Sequence, residues 1–246
     1  MKPAKNAIRT LSLLALAAGL LALVGTSFAE DCCPCRTFTT NLMQGSCRGF
    51  SSTASNPFFI LKPGFQATIE GTEDGVLVRL VITVLDETLT IQDIETRVVE
   101  ERETEDGELV EVSRNYFATC KRNNSVFYFG EDTDIYENGV IVSHEGSWRA
   151  GVNGARAGVI MPGIILNGAK YFQEIAPEVA LDQAETVRTT ETVTTPAETF
   201  RNWLKTKETT PLEPDAVEYK FYARGIGLVQ DDVLKLVSFS TMEDGE

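Results

Sequence analysis

The feature that most constrains this chain is a set of three dipeptides, Asp74-Gly75, Asp106-Gly107 and Asn138-Gly139. Each couples a residue that tolerates positive φ to a glycine, the combination a two-residue β-hairpin requires. Strand-like sequence flanks each one. Residues 76–84 are rich in β-branched side chains. In the stretch 109–120, Val110, Val112, Tyr116, Ala118 and Cys120 alternate onto one face. Residues 94–103 are the expected partner, joined to it through 104–107. Residues 126–129 and 140–142 flank the third turn, and further strands are expected at 171–174, 185–193, 200–205, 217–223 and 233–240. No long amphipathic helical pattern follows residue 30, and the best short candidate is 177–183. Successive hairpins without helices point to an antiparallel, up-and-down sheet. So many strands must curl, close or fold over to bury one face. The expected fold is all-β with few short helices: a large curved antiparallel sheet or half-barrel, with a two-sheet sandwich as the alternative. The charged stretches 100–108 and 206–215 read as exposed hairpin ends.

The N-terminus carries a different signal. Lys2, Lys5 and Arg9 precede an apolar run at 11–24, and Ser27-Phe28-Ala29 supplies small residues where a signal peptidase cuts. The run is short for a membrane span. Three segments are therefore expected: a signal peptide at 1–29, a cysteine-rich extension at 30–55 and a single β domain at 56–246. Loss of the signal removes three basic residues, leaving 19 Lys and Arg against 36 Asp and Glu, a net charge of −17. Such a surface repels nucleic acid and anionic headgroups. The expected location is periplasmic or extracellular, with no stable membrane span once the signal is cleaved.

Five cysteines in an exported chain make disulfides the default for Cys32, Cys33, Cys35, Cys47 and Cys120. Their pairing is open, and the odd count leaves one thiol free or shared with a disulfide-linked partner. Cys32-Cys33-Pro34-Cys35 has the spacing of a redox dithiol. That chemistry needs the first thiol at a helix N-terminus, and no helical pattern follows it. Zinc or copper on Cys32, Cys35 and Cys47 is conceivable, but export favours oxidation.

Residues 56–238 resemble a family of exported, β-rich bacterial proteins of unknown function. The resemblance rests on Asn56-Pro57-Phe58-Phe59 with Leu61-Lys62-Pro63-Gly64, and on Tyr128-Phe129-Gly130-Glu131-Asp132 with Tyr136-Glu137-Asn138-Gly139. It continues through Glu145-Gly146-Ser147-Trp148, Ala150-Gly151, Gly154-Ala155, Gly158 and Met161-Pro162, then Tyr171, Gln173 and Glu174. Thr210-Pro211-Leu212-Glu213-Pro214, Tyr222-Ala223 and residues 225–229 complete it. It implies an exported β-rich protein and no particular activity. Arg224 stands where that family usually has proline, and the segment 30–55 lies outside the resemblance.

Candidate chemistry is sparse. His144 is the only histidine, and its neighbours Ser143 and Glu145 point to the opposite face of a strand. No nucleophile-elbow motif is present. Glu131, Asp132 and Asp134 form an oxygen-rich stretch in which weak calcium binding is conceivable, although the spacing is not that of a helix-loop-helix calcium site. Trp148, Tyr171 and Phe172, among the glycines 151, 154 and 158, are candidate ligand contacts together with His144.

The sequence therefore supports an exported, non-catalytic binding or envelope-associated protein with a β-sheet cleft for a small or lipid-like ligand. No resident cofactor is implied. The alternatives are a thiol oxidoreductase or hydrolase, and a structural protein linked to a partner through its N-terminal cysteines.

Overall fold

The computed structural model describes Phe38 and residues 44–188, 192–201 and 203–241. The signal segment and Cys32, Cys33 and Cys35 lie outside the described residues. Among the described residues the one helical element is a 3₁₀ turn, Gln44–Ser46. The strands are β1 (Phe50–Ser51), β2 (Phe65–Glu73), β3 (Val76–Ile91), β4 (Ile94–Glu105), β5 (Glu108–Cys120) and β6 (Val126–Glu137). They continue as β7 (Val140–Ser143), β8 (Trp148–Arg149), β9 (Arg156–Met161), β10 (Lys170–Phe172), β11 (Glu174–Ile175) and β12 (Gln183–Arg188). A two-stranded hairpin, β13 (Thr192–Thr194) with β14 (Thr199–Arg201), precedes β15 (Leu204–Thr210), β16 (Glu213–Ala223), β17 (Gly227–Asp231) and β18 (Leu234–Thr241).

The three hairpin dipeptides behave as the sequence requires. Asp74, Asp106 and Asn138 have φ of 49°, 49° and 52°, each followed by a glycine at positive φ. One further two-residue turn, Gln92-Asp93, also has positive φ at both positions (51° and 60°) and joins β3 to β4 without any glycine.

The strands form one large antiparallel sheet that is nearly closed and barrel-like, with the β13–β14 pair as a small second sheet. Neighbours in the barrel are neighbours in sequence: β2, β3, β4, β5, β6 and β9 on one side, β12, β15, β16, β17 and β18 on the other. The last strand, β18, returns to β2, with Leu236 opposite Ile69. The remaining seam is spanned by β10 and β11, which a single residue, Gln173, separates. β10 pairs with β12, and β11 pairs with β9. Gly158 of β9 makes this close approach possible, because a Cβ there would collide with the carbonyls of Phe172 and Gln173. The sandwich alternative is thereby excluded: one sheet curls round until its ends meet, instead of two sheets stacking. Closure leaves few unpaired strand edges.

Two expectations about local structure are corrected. Residues 177–183 do not form a helix; Ala176 and Ala180 bridge to each other around a tight turn with Glu178 at φ 65°. The charged stretches 100–108 and 206–215 are mostly strand, carried almost to the tips of their hairpins. Alternation then sends Glu101, Glu103 and Glu208 inward while Glu100, Arg102 and Lys207 face out. The outer wall is charged along its strands. Arg79 pairs with Glu70 at 2.8 Å, and Arg114 with Glu87 at 3.1 Å and Glu100 at 3.4 Å.

The N-terminal extension is fastened to this wall. A disulfide joins Cys47 to Cys120, with Cα atoms 5.7 Å apart. β1 pairs with the end of β5, and the Phe50 ring packs edge-on against Phe127 and Phe129, 5.4 Å from each.

Candidate functional site

Strand direction puts the Asp74-Gly75, Asp106-Gly107 and Asn138-Gly139 turns at one end of the barrel and the turns at 92–93, 121–125 and 224–226 at the other. Residues 56–61 lie across the second end as a floor. Asn56, only 1% exposed, is its hub. Its Nδ2 donates to the carbonyls of Asn124 (2.8 Å) and Pro162 (3.2 Å), and its Oδ1 accepts from the Phe58 amide (2.8 Å). One amide side chain thus supplies hydrogen bonds that irregular backbone cannot make to itself. The Gly225 amide donates to the Pro57 carbonyl at 2.7 Å, and Phe59 packs on Phe117 at 4.8 Å.

Above this floor is a cavity of about 190 Å³. Its lower wall is apolar: Phe65, Ala67, Ile82, Val84, Phe117, Ile226 and Leu228. Its upper wall, toward the Asp-Gly hairpins, is acidic. Glu101, Glu103, Glu111, Glu131, Glu174, Asp182, Glu208 and Asp231 line it among Leu80 and Leu234, with Lys220 the one Lys or Arg among the described lining residues. An aromatic ladder stands between the halves. Tyr128 stacks on Phe117 at 4.9 Å and meets Trp148 edge-on at 5.1 Å.

A β-bulge in β6 aims Glu131 into this space. Tyr116 pairs with Gly130 but Phe117 pairs with Tyr128, so Phe129 is an extra residue. The bulge resets the alternation: Tyr128 and Glu131, three apart, both point inward. Gly130 is required there, because a Cβ would sit 2.7 Å from the Trp148 carbonyl of β8. An isolated glycine within the strand-like run 126–131 was the sequence signal for it.

The polar groups form two connected sets. In the first, Glu208 is fully engaged: Lys220 Nζ lies 3.2 Å from its Oε2, while Gln173 Nε2 (3.2 Å) and Thr206 Oγ1 (3.0 Å) donate to its Oε1. Lys220 also reaches Asp231 Oδ2 at 3.8 Å. In the second, Tyr128 OH donates to Asn115 Oδ1 at 2.5 Å and Asn115 Nδ2 to Ser113 Oγ at 3.0 Å. Apart from both, the Asp182 amide donates to Glu174 Oε1 at 2.7 Å. Glu131 Oε1 and Asp231 Oδ1 find no hydrogen-bond partner, although the two residues are only 5% and 7% exposed.

This setting shifts proton affinities. Burial, reinforced by Glu111, pushes the Glu131 carboxyl up to about 8. Burial next to Asp182 holds Glu174 well above the carboxylate range, and burial raises Asp182 and Glu101 as well. Burial works against the Lys220 ammonium, but Asp231 and Glu208 outweigh it and raise its pKa well above the ordinary value. At neutral pH the cavity therefore contains carboxyl groups that hold their protons, Glu131 and Glu174 among them.

The sequence-selected residues divide. Trp148 lines the cavity, and Tyr171 is buried on the inward face of β10. Phe172 faces the other way and packs edge-on against Phe38 at 6.2 Å. His144 stands outside, its side chain 69% exposed, with Nδ1 2.7 Å from Asp134 Oδ1. The trio Glu131, Asp132 and Asp134 does not converge. Glu131 enters the cavity, whereas Asp132 holds Arg149 and the Tyr116 hydroxyl on the outer face and Asp134 faces His144. Among the described residues no group of three or more His, Cys, Asp or Glu side chains is placed to hold a metal ion. The acidic lining apart from Glu131 and Glu174, together with Lys220, went unmarked in the sequence because those residues read as charged surface.

Comparison with protein-family models, with curated proteins and with solved structures found no match to the chain.

Proposed function

We propose that this chain is an exported binding protein that holds a small ligand inside its barrel. The ligand's apolar body sits against the floor and its hydrogen-bonding head meets the acidic wall. The observation that carries this reading is the cavity itself. It is closed at one end by residues 56–61, lined by both apolar and acidic side chains, and supplied with buried carboxyl oxygens that have no partner. An interior built only for stability would fill with apolar side chains, since a buried carboxylate without a partner costs free energy. Charged side chains along the outer strands suit a barrel that faces water and not lipid.

Native mass spectrometry of protein purified from its own export compartment tests the reading. The wild-type chain should carry a small molecule that Ala67→Phe, which fills the apolar half, no longer retains. Ligand-free protein, together with no change in Trp148 fluorescence on titration with small amphiphiles, would sink it.

A second reading has one observation in its favour. With Cys47 joined to Cys120, three cysteines remain, an odd number, so one thiol is left over for a partner or a second copy. Non-reducing electrophoresis that shows only monomer removes it.

A further inference from the structure

We propose that the ligand is a small organic cation, a primary ammonium on an apolar body, whose charged head is received by the unpaired carboxyl oxygens of the acidic wall. This rests on the reading of the barrel as a ligand-binding protein and names the class of ligand.

Three observations lead there. Glu131 Oε1 and Asp231 Oδ1 are acceptors without donors, on residues only 5% and 7% exposed that line the cavity. An ammonium has three N–H donors and no acceptor, so it answers such oxygens. The resident cation does not fill this role, because Lys220 is already engaged by Glu208 and Asp231 at 3.2 and 3.8 Å. Among the described residues no three carboxyl groups gather as a metal ion would need. Below them, Tyr128 and Trp148 present aromatic rings and Phe117 an apolar wall, suited to a cation's methylene body.

Arrival of the ammonium releases a proton. The groups facing the Glu131 carboxyl are Tyr128 on its own strand, Glu111 and Asn115 on β5, Glu101 on β4, Glu174 on β11, and Asp182 just before β12. None is cationic, so Glu131 keeps its proton until a cation arrives beside it. Once an ammonium sits beside it, the carboxylate form wins and the proton leaves to buffer.

The test is calorimetric titration of the full chain with hexylammonium, 1-hexanol and hexanoate at pH 7, in two buffers of different ionisation enthalpy. Hexylammonium should bind at least ten-fold more tightly than hexanol, with close to one proton released, and hexanoate should bind most weakly. Glu131→Gln should cost hexylammonium ten-fold or more, abolish the proton release and leave hexanol unchanged. Should that variant not fold, the wild-type ranking and the proton release decide alone. Hexanol binding as tightly as hexylammonium, ammonium binding without proton release, or one-to-one displacement by calcium each overturns the cation assignment and leaves the cavity reading standing. Binding of none of the three overturns both.

Discussion

Lys220 Nζ lies 3.2 Å from Glu208 Oε2, and this ion pair joins adjacent strands on the inner face of the barrel. Glu208 in turn accepts from Gln173, the residue at the seam between β10 and β11. Lys220→Met should therefore cost about 3–5 kcal/mol near pH 7, the usual effect of stranding a buried carboxylate. Because Asp231 and Glu208 raise the Lys220 pKa, its contribution is complete throughout the neutral range and fades only as pH climbs beyond the ordinary lysine value. Urea unfolding checks this, and Glu208→Gln added to Lys220→Met should restore part of the loss.

Glu131 makes stability fall as pH rises. Its carboxyl titrates near 8 when folded and near 4.5 when unfolded, so between those values the folded state binds the extra proton. The acid contributes fully below the unfolded value, and that contribution declines at roughly 1.4 kcal/mol per pH unit through the window. Glu131→Gln should flatten the slope of melting temperature against pH between 5 and 8. An unchanged slope in thermal melts would show that Glu131 is not its source.

The Cys47–Cys120 disulfide spans a sequence separation of 73, for which chain entropy predicts about 4 kcal/mol of stabilisation. Cys47→Ser should lower the denaturant midpoint accordingly, and reductant should act on wild type but not further on the variant. The predicted change is in stability, with the barrel retained, since the disulfide clasps an extension to its outside.

Asn56→Ala removes three hydrogen bonds from the floor and strands buried carbonyls, for an expected cost of about 2–4 kcal/mol. Hydrogen exchange should show protection lost first at the Phe58 and Gly225 amides. Uniform loss across all strands would contradict a local role.

Much of the strand ladder was legible from local chemistry. Asp-Gly and Asn-Gly turns announce themselves because few other residues reach positive φ cheaply. Gln92-Asp93 adopts the same conformation with no glycine to mark it. The side chain of Gln92 packs on Gly151, a contact no local reading contains. Trp148 was found as an aromatic among glycines. Glu103, Glu111 and Lys220 were not, since a charged residue in a strand looks the same whether it faces water outside or a cavity inside.

Sequence alone determined the antiparallel, hairpin-by-hairpin order of this protein, because turn preference and strand alternation are properties of a few adjacent residues. Only the tertiary structure decided that the ladder nearly closes, that residues 56–61 floor it and that Glu101, Glu103, Glu111 and Glu208 face the inside. Closure depends on β18 finding β2 and on Gly158 admitting the seam, contacts between parts of the chain far apart in sequence. Period-two alternation divides a strand into two faces but cannot say which one curvature will enclose.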